Sequence, residues 1–530
     1  MHKEHAHISR RVGTVSFFTL LSRLLGLSRD IILAWAFGAT RVADAFYVAF
    51  RIPNMLRRLV AEGALTVAFV PIYTQQLKRS REDGRVAASV VFTYLSLFLV
   101  FLTVCGVLFA PWIVKAVAWG FSINEDKFDL TVYLTRIMFP YILLISLVAL
   151  AMGILNSLKR FAAPAASPIF LNLGIIFGAL VLQHYVELPA EGMALGVILG
   201  GVAQLALQIP FLVKEGMLPR LNFDFRHPAL KGLLVLMIPA AFGAAVYQFN
   251  ILVITFLASF LPDGSVSYLW YADRVSEFSL GIFSIAVATA VLPTLADHAA
   301  TNDIESLKRT MNFGLRLALL IDIPAAVGLY ILALPIVRVL FERGEFTDAT
   351  AIATAGALYF FALKIPFVSG ARNIVPCFFA LRDARTPVYT SAAAVFVNGF
   401  FAYILMGPLA HRGLALALVI SSVVNFALLF IFLRRKIGPI GGRMILKSAA
   451  RTALAAAAMG AALMIVNHYV QILPTWPLWQ KIISLLLIIA GSAVIYILII
   501  RSISPEEYHA LLTLIHKRKE PIGTSPYEPQ

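Results

Sequence analysis

Fourteen apolar stretches divide this chain, and they constrain its fold more than any other feature of the sequence. Each has about 20 residues or more, the length that an α-helix needs to cross a lipid bilayer. In chain order they cover residues 12–37, 45–74, 86–117, 130–155, 164–183, 193–213, 232–260, 267–295, 311–341, 351–379, 388–406, 414–432, 449–470 and 478–500. Hydrophobic residues make up 60% of the chain, whereas a soluble domain is nearer half apolar. The sequence therefore predicts an all-α polytopic membrane protein with 14 transmembrane helices.

The loops between these stretches differ in charge according to the side of the membrane that they would face. Every second loop is rich in Lys and Arg, and the intervening loops hold only Arg41, Lys127, Arg343, Arg412 and Lys481. Basic loops stay in the cytoplasm, so we expect an inner (cytoplasmic) membrane protein with both termini in the cytoplasm. The net charge of +16 comes from short clusters, which lack the continuous basic face of a nucleic-acid-binding protein.

The first twelve stretches form an internal repeat. Pro71 and Pro293 occupy matching apolar segments 222 residues apart, and the segments that begin at Gly192 and Gly413 align without a gap at an offset of 221. Each repeat holds an even number of helices, so both halves insert the same way, with a pseudo-twofold axis along the membrane normal. This is the layout of alternating-access transporters. The expected parts are an N-lobe of six helices (1–225), a C-lobe of six helices (226–445), two extra helices (446–501) and a cytoplasmic tail (502–530).

Several arginines lie inside the apolar stretches, where a charge at the middle of a helix costs about 2.5–3.5 kcal/mol. Arg23 and Arg29 lie in the first stretch, Arg57 in the second and Arg274 in the eighth. Such residues need a partner or a water-filled cavity. Arginine binds phosphate oxygens through paired hydrogen bonds and stays charged at depth. The four arginines therefore predict a cavity that binds an anionic head group and repels organic cations.

Local ion pairs are the alternative explanation for part of this charge. The candidate groups are Arg23 with Asp30, Arg58 with Glu62, and Asp273 with Arg274 and Glu277. We expect Arg10, Arg11 and Arg41 to anchor the chain at the membrane interface. A positive surplus is left after this pairing, because Arg57 has no acidic residue three or four positions away.

Short motifs of enzyme active sites are missing from the sequence. There is no Gly-x-Ser-x-Gly elbow, no His-Glu-x-x-His pair and no phosphate-binding loop. Cys105 and Cys377 both lie inside apolar stretches, which indicates core residues and neither a disulfide framework nor a metal site. We expect a protein that is not an enzyme and that has no metal or cofactor. A membrane enzyme that lacks a short motif is the alternative.

Three segments of the chain resemble the MurJ (MviN) lipid II flippases. They are Ser22-Arg23-x-x-Gly26-x-x-Arg29-Asp30, Ala43-Asp44-Ala45-Phe46 and Pro53-Asn54-x-Leu56-Arg57-Arg58-x-x-Ala61-Glu62-Gly63-Ala64. The segments Tyr271-Ala272-Asp273-Arg274, Phe341-x-Arg343-Gly344-x-Phe346 and Asp383-x-Arg385-Thr386-Pro387 extend the resemblance over nearly the whole chain. The resemblance implies a member of the multidrug/oligosaccharidyl-lipid/polysaccharide exporter superfamily.

The resemblance also implies a substrate and roles for individual residues. The implied substrate is lipid II, an undecaprenyl-diphosphate-linked disaccharide-pentapeptide that moves from the cytoplasmic to the periplasmic leaflet for peptidoglycan synthesis. Arg23, Arg29, Arg57 and Arg274 match the substrate-binding arginines of the family, and Asp44 matches a residue linked to the outer gate. The two extra helices would form a groove for the polyprenyl tail. The implied supporting residues are Ser22, Gly26, Asp30, Asp44, Asn54, Arg58, Glu62, Asp273 and Glu277.

The energy source is left open by the resemblance. The family's cation site in the second lobe has no clear carboxylate match in this sequence, so a coupling ion and the membrane potential are both open. We expect the protein to interact with lipid II and with membrane lipids. We also expect it to be a monomer that works near cell-wall synthesis enzymes. The alternative functions are a flippase for another polyprenyl-linked glycan and a cation-coupled multidrug exporter.

Overall fold

A computed structural model describes residues 2–59, 65–470 and 476–509. Within these ranges the chain is almost entirely α-helical and contains no β-strand. The helices are α1 His2–Phe37, α2 Arg41–Leu56, α3 Thr66–Arg79, α4 Arg81–Leu108, α5 Ala110–Val117, α6 Glu125–Met138, α7 Tyr141–Ser157, α8 Ala162–Leu180, α9 Pro189–Lys214, α10 Pro228–Ala258, α11 Ser265–Ala300, α12 Ile304–Ile331, α13 Ala333–Phe341, α14 Asp348–Ala380, α15 Arg385–Leu409, α16 His411–Ile437, α17 Gly442–Val470 and α18 Leu478–Ile503.

Ten helical segments of the described chain are long and apolar enough to cross a membrane, and they confirm the predicted polytopic membrane fold. They are Arg81–Leu108, Glu125–Ser157, Ala162–His184, Pro189–Lys214, Ile304–Ile331, Asp348–Ala380, Arg385–Leu409, His411–Ile437, Gly442–Val470 and Leu478–Ile503. The predicted count of 14 spans is not confirmed. The other four predicted stretches contain α1, α2 with α3, α10 and α11. Charged residues interrupt α1, and α10 contains the shorter apolar segments Pro228–Ile238 and Gln248–Ala258.

Side-chain caps mark where several helices begin. Thr40, Ser80, Asn124 and Asp303 each accept a hydrogen bond from the backbone N–H three residues further along. Each cap satisfies one of the donors that the start of a helix leaves open. The caps at Thr40 and Asn124 begin α2 and α6, and each of these helices carries a charged residue of the site in its first turns.

Glycines bring α8 and α9 into backbone contact. A Cβ atom on Gly174 would lie 2.5 Å from the carbonyl oxygen of Gly196, and one on Gly178 would lie 2.3 Å from that of Gly192. Small residues allow this close approach between membrane helices. The pair of helices forms a closely packed wall in the first half of the chain.

The chain divides into two compact units. The first comprises Met1–Arg274, Leu340–Ala357 and Val395–Ala417, and the second comprises Val275–Val339, Leu358–Ala394 and Leu418–Gln530. The second unit has a core in which the hydroxyl of Tyr496 on α18 donates a hydrogen bond of 2.7 Å to the carbonyl oxygen of Leu320 on α12. All four predicted binding arginines belong to the first unit. The division of the sequence into two six-helix lobes and two extra helices stays a prediction.

Candidate functional site

A buried carboxylate on α1 is the centre of the charged site in the first unit. Asp30 is 2% exposed, and its Oδ1 accepts hydrogen bonds from Nε and Nη2 of Arg29 at 3.0 and 2.7 Å. The sequence offered Asp30 as a partner for Arg23, but the structure gives it a direct ion pair with the adjacent Arg29. Arg23 is exposed on the same helix. Arg29 therefore has its charge matched, although the sequence placed it in the positive surplus.

Asn172 on α8 ties this ion pair to a second helix. Its Oδ1 accepts a hydrogen bond of 3.1 Å from Nη1 of Arg29, and its Nδ2 donates one of 3.2 Å to the carbonyl oxygen of Ser22. A Cβ atom on Gly26 would lie 3.7 Å from Asn172 Nδ2, so this glycine faces the same carboxamide. The predicted supporting residues Ser22 and Gly26 thus lie where α1 meets α8.

Arg274 approaches the same carboxylate from α11. Its Nε lies 4.0 Å from Oδ2 of Asp30, which is too far for a hydrogen bond. Its guanidinium lies 4.6 Å from the ring centroid of Trp270, and the guanidinium of Arg51 lies 5.4 Å from the same ring. Two arginines therefore share one aromatic side chain beside one carboxylate.

Two buried donors in this group have no acceptor among the residues that the structure describes. Arg274 Nε and Trp270 Nε1 make no hydrogen bond within the part of the chain that the structure describes. A buried N–H without a partner costs free energy, so an acceptor at this position would stabilise the group. The acceptor that suits neighbouring arginines is an anion.

Arg57 is oriented by a neighbour in the second helix motif. Its Nε donates a hydrogen bond of 2.9 Å to Oδ1 of Asn54, three residues earlier. Asn54 is thus in contact with a predicted binding arginine. The predicted pair of Arg58 with Glu62 cannot be placed, because Glu62 lies outside the described residues.

A second buried carboxylate, Asp44 on α2, has a complete set of donors. It is 1% exposed. Its Oδ1 accepts from the backbone N–H and hydroxyl of Ser267 at 2.9 and 2.7 Å. Its Oδ2 accepts from the backbone N–H of Gly264 at 2.8 Å and from Lys127 Nζ at 2.9 Å. These contacts join α2, α6 and the start of α11.

Asp263 extends this network to the protein surface. It accepts from Lys127 Nζ at 2.8 Å and from Arg41 Nε at 3.2 Å. Burial raises the pKa of Asp263, but the hydrogen bonds and charges of Lys127 and Arg41 outweigh it, and the pKa lies below its usual value of 3.8. Arg41, expected as an interface anchor, is thus part of an ion-pair network.

The remaining predicted charges lie along α11. Asp273 is half-buried beside Arg274, in the first unit. In the second unit, Glu277 Oε1 lies 3.8 Å from Nη2 of Arg372. The local cluster expected from the sequence is therefore not needed to explain Arg274 or Glu277, since each has an ion-pair neighbour on another helix.

Several residues of these networks were not singled out from the sequence, among them Arg51, Asn172 and Lys127. Arg51 lies six positions before Arg57 in the same apolar stretch. It could have been found in the same way as Arg57, as a charge inside an apolar stretch. Asn172 is a lone carboxamide in an apolar stretch, which is a weaker signal. Lys127 was counted only as a basic residue of an outer loop.

The fold and the site define a class. The chain is a polytopic helical membrane protein that holds a group of arginines among its helices, which is typical of proteins that handle charged substrates within the membrane.

Comparison with known proteins gives the family. A family profile described as lipid II flippase MurJ matches residues 33–487. The chain is 38% identical over 435 residues to the lipid II flippase MurJ of Burkholderia cenocepacia, covering 81% of this chain and 84% of that protein. It is 36% identical over 477 residues to the probable lipid II flippase MurJ of Vibrio cholerae, covering 88% and 90%. The chain therefore belongs to the lipid II flippase MurJ family.

Solved structures agree with this assignment. A lipid II flippase MurJ in an inward closed conformation is similar with a TM-score of 0.78 and 27% identity, over 94% of this chain and 99% of that one. A multidrug resistance MATE family transporter of the MOP superfamily is similar with a TM-score of 0.68 over 79% of this chain and 95% of that one. Its identity is 15%, so this second likeness shows the fold alone.

Proposed function

We propose that this protein moves lipid II, the undecaprenyl-diphosphate-linked peptidoglycan precursor, from the cytoplasmic to the periplasmic leaflet. Membership of the lipid II flippase family supports the substrate. The charges of the first unit support the chemistry, because a diphosphate group needs several donors once it leaves water.

The observation that carries the proposal is the excess of donors beside Asp30. One carboxylate faces two arginines, and Arg274 Nε and Trp270 Nε1 have no acceptor among the described residues. A phosphate oxygen supplies the acceptor that these groups lack. We place Arg23, Arg29, Arg57 and Arg274 in contact with the diphosphate and head group, as the sequence predicted. A cationic cargo would meet like charge here.

Transport proceeds by alternating access, and no bond of the substrate is made or broken. The arginines replace the water that the head group loses. The polyprenyl tail stays in lipid, because each buried CH₂ is worth about 0.8 kcal/mol. The network of Asp44, Lys127 and Ser267 closes the periplasmic end of the site, and its contacts break when the site opens outward.

The protein's place in the cell follows from the same proposal. It lies in the inner membrane as a monomer with both termini in the cytoplasm. The unequal charge of its loops supports this orientation. It acts near the enzymes that consume lipid II. The energy for the cycle comes from a coupling ion or from the membrane potential, and no cofactor takes part.

Complementation tests this function. A strain depleted of its own lipid II flippase receives this chain, and lipid II is labelled in the outer leaflet only. We expect growth to be restored and labelled lipid II to appear. If the protein is present in the membrane while the cells lyse with lipid II confined to the inner leaflet, the proposal is wrong.

A further inference from the structure

A cavity of about 190 Å³ lies inside the first unit, next to Arg57. It is lined by residues of α7, α8 and α9. A water molecule needs about 10–15 Å³ of such space, so the cavity has room for roughly ten waters or one ligand group of similar size. It is too small for a whole disaccharide-pentapeptide head group, but it fits a single sugar ring.

The polar groups of the cavity are carboxamides and hydroxyls. Among the described lining residues, Arg57 alone is charged and none is a carboxylate. Gln204 donates through Nε2 to the carbonyl oxygen of Ser167 at 3.1 Å, and its Oε1 accepts from the hydroxyl of Tyr141 at 3.3 Å. This set of groups suits an uncharged ligand that has both donors and acceptors.

Two of these groups have no hydrogen-bond partner among the described residues. The Ser167 hydroxyl is buried, with the residue 1% exposed, and has no hydrogen-bond partner in the described chain. The carboxamide of Asn156, half-buried on the cavity wall, makes no hydrogen bond with any of the described residues. A buried hydroxyl without a partner is uncommon in proteins and calls for an explanation. A ligand in the cavity provides one.

The position of the cavity identifies which part of a glycolipid would reach it. If Arg57 binds a phosphate, the group bonded to that phosphate lies directly beside Arg57. In a polyprenyl-diphosphate glycan that group is a sugar. The aliphatic side chains and the Tyr141 ring provide an apolar surface for the sugar ring, and the few polar groups fix its orientation, as in other small-molecule sites.

We propose that this cavity binds the phosphate-proximal sugar of the substrate and recognises its hydroxyl and acetamido groups through Asn156 and Ser167. The inference rests on the proposed function and deepens it, since it names the part of the head group that distinguishes a glycosylated lipid from bare polyprenyl diphosphate. Arg57 then holds the phosphate at the mouth of the cavity.

The test compares two lipids bound to the purified full-length protein in nanodiscs. One is a short-chain polyprenyl diphosphate, and the other is the same lipid carrying one N-acetylated hexosamine. We expect the wild type to bind the glycosylated lipid about tenfold more tightly, since each hydrogen bond adds a modest amount. The double variant Asn156→Leu, Ser167→Ala is expected to bind both lipids equally, with the affinity of the wild type for the bare diphosphate.

A matched control and the opposite outcomes complete the test. Gln75→Leu changes an exposed carboxamide on α3, away from the cavity, and is expected to keep the tenfold preference. The sugar site is overturned if the wild type shows no preference between the two lipids. It is also overturned if the double variant keeps the preference, or if it loses affinity for both lipids to the same extent. Failure of the proposed function is distinguishable, because then the wild type binds neither lipid.

Discussion

Two buried carboxylates of the first unit, Asp30 and Asp44, have nearly the same exposure, at 2% and 1%. Both have basic partners, but the numbers of donors and acceptors around them differ. Asp44 accepts four hydrogen bonds, and with Asp263 it balances Lys127 and Arg41 charge for charge. Among the described residues, Asp30 faces only two arginines, and Arg274 keeps an N–H without an acceptor. The two carboxylates are therefore alike in burial and in charge. They differ in the balance of donors and acceptors, which is complete around Asp44 and leaves a donor over around Asp30.

This difference has a physical meaning. A buried ion pair is stable when additional hydrogen bonds satisfy every remaining donor and lone pair. The Asp44 network meets that condition and needs nothing from outside. The group around Asp30 does not meet it, so an anion that enters would improve it. The next three predictions change Asp44, then Asp30, and then Asp263, which belongs to the Asp44 network.

The largest expected effect is on the stability of the Asp44 network. Asp44→Asn keeps the shape of the side chain but removes the charge beside Lys127 and turns an amide donor towards N–H groups. We expect a loss of about 3 kcal/mol in the free energy of unfolding. Thermal unfolding in detergent measures it. An Asp44→Asn protein as stable as the wild type would show that the network is not a structural lock.

Asp30→Asn is the matched change at the other carboxylate, with a smaller effect on stability and an effect on binding of the opposite sign. Arg274 is 31% exposed and Arg29 keeps its hydrogen bond to Asn172, so we expect a loss of about 1–2 kcal/mol, smaller than that for Asp44→Asn. Removal of the competing carboxylate should tighten binding of a polyprenyl diphosphate by about tenfold and slow its release. Titration of the purified variant checks this, and weaker binding would contradict it.

Asp263→Asn is expected to have the smallest effect, because Asp263 is about half exposed. We expect a loss below about 1 kcal/mol, and this loss should depend on pH. The pKa of Asp263 is lowered in the folded protein, so its carboxylate stabilises the fold above the unfolded pKa, and that contribution disappears as the pH falls through the folded pKa. Unfolding curves of wild type and variant should therefore converge below about pH 4. A constant difference down to pH 2.5 would contradict the assigned ion pairs.

The sequence predicted the helical membrane fold and the charged residues that make it unusual. Arg29, Arg274 and Asp30 were found because a charge in an apolar stretch is visible without a structure. Their pairing was less visible. The shared contact of Arg51 and Arg274 with Trp270 depends on how α2 packs against α11, which no local spacing reports.

Long-range partners explain the other omissions. Lys127 and Asp44 are 83 residues apart, and Asn172 is 150 residues from Ser22. Helix periodicity relates only residues three or four positions apart, so it cannot indicate such contacts. The predicted count of 14 spans stays unconfirmed, since ten helical segments of the described residues meet the length and hydropathy that a span needs.

The central claim is that Arg57 and Arg274 bind the substrate and do not serve the fold. The most direct measurement is leaflet-specific labelling of lipid II in depleted cells that carry Arg57→Ala or Arg274→Ala, with Arg434→Ala at an exposed position of α16 as the control. We expect both arginine variants to insert into the membrane, with a free energy of unfolding within about 1 kcal/mol of the wild type. Lipid II should stay in the inner leaflet. The control should transport normally. Normal growth and labelling with both arginine variants would contradict the claim.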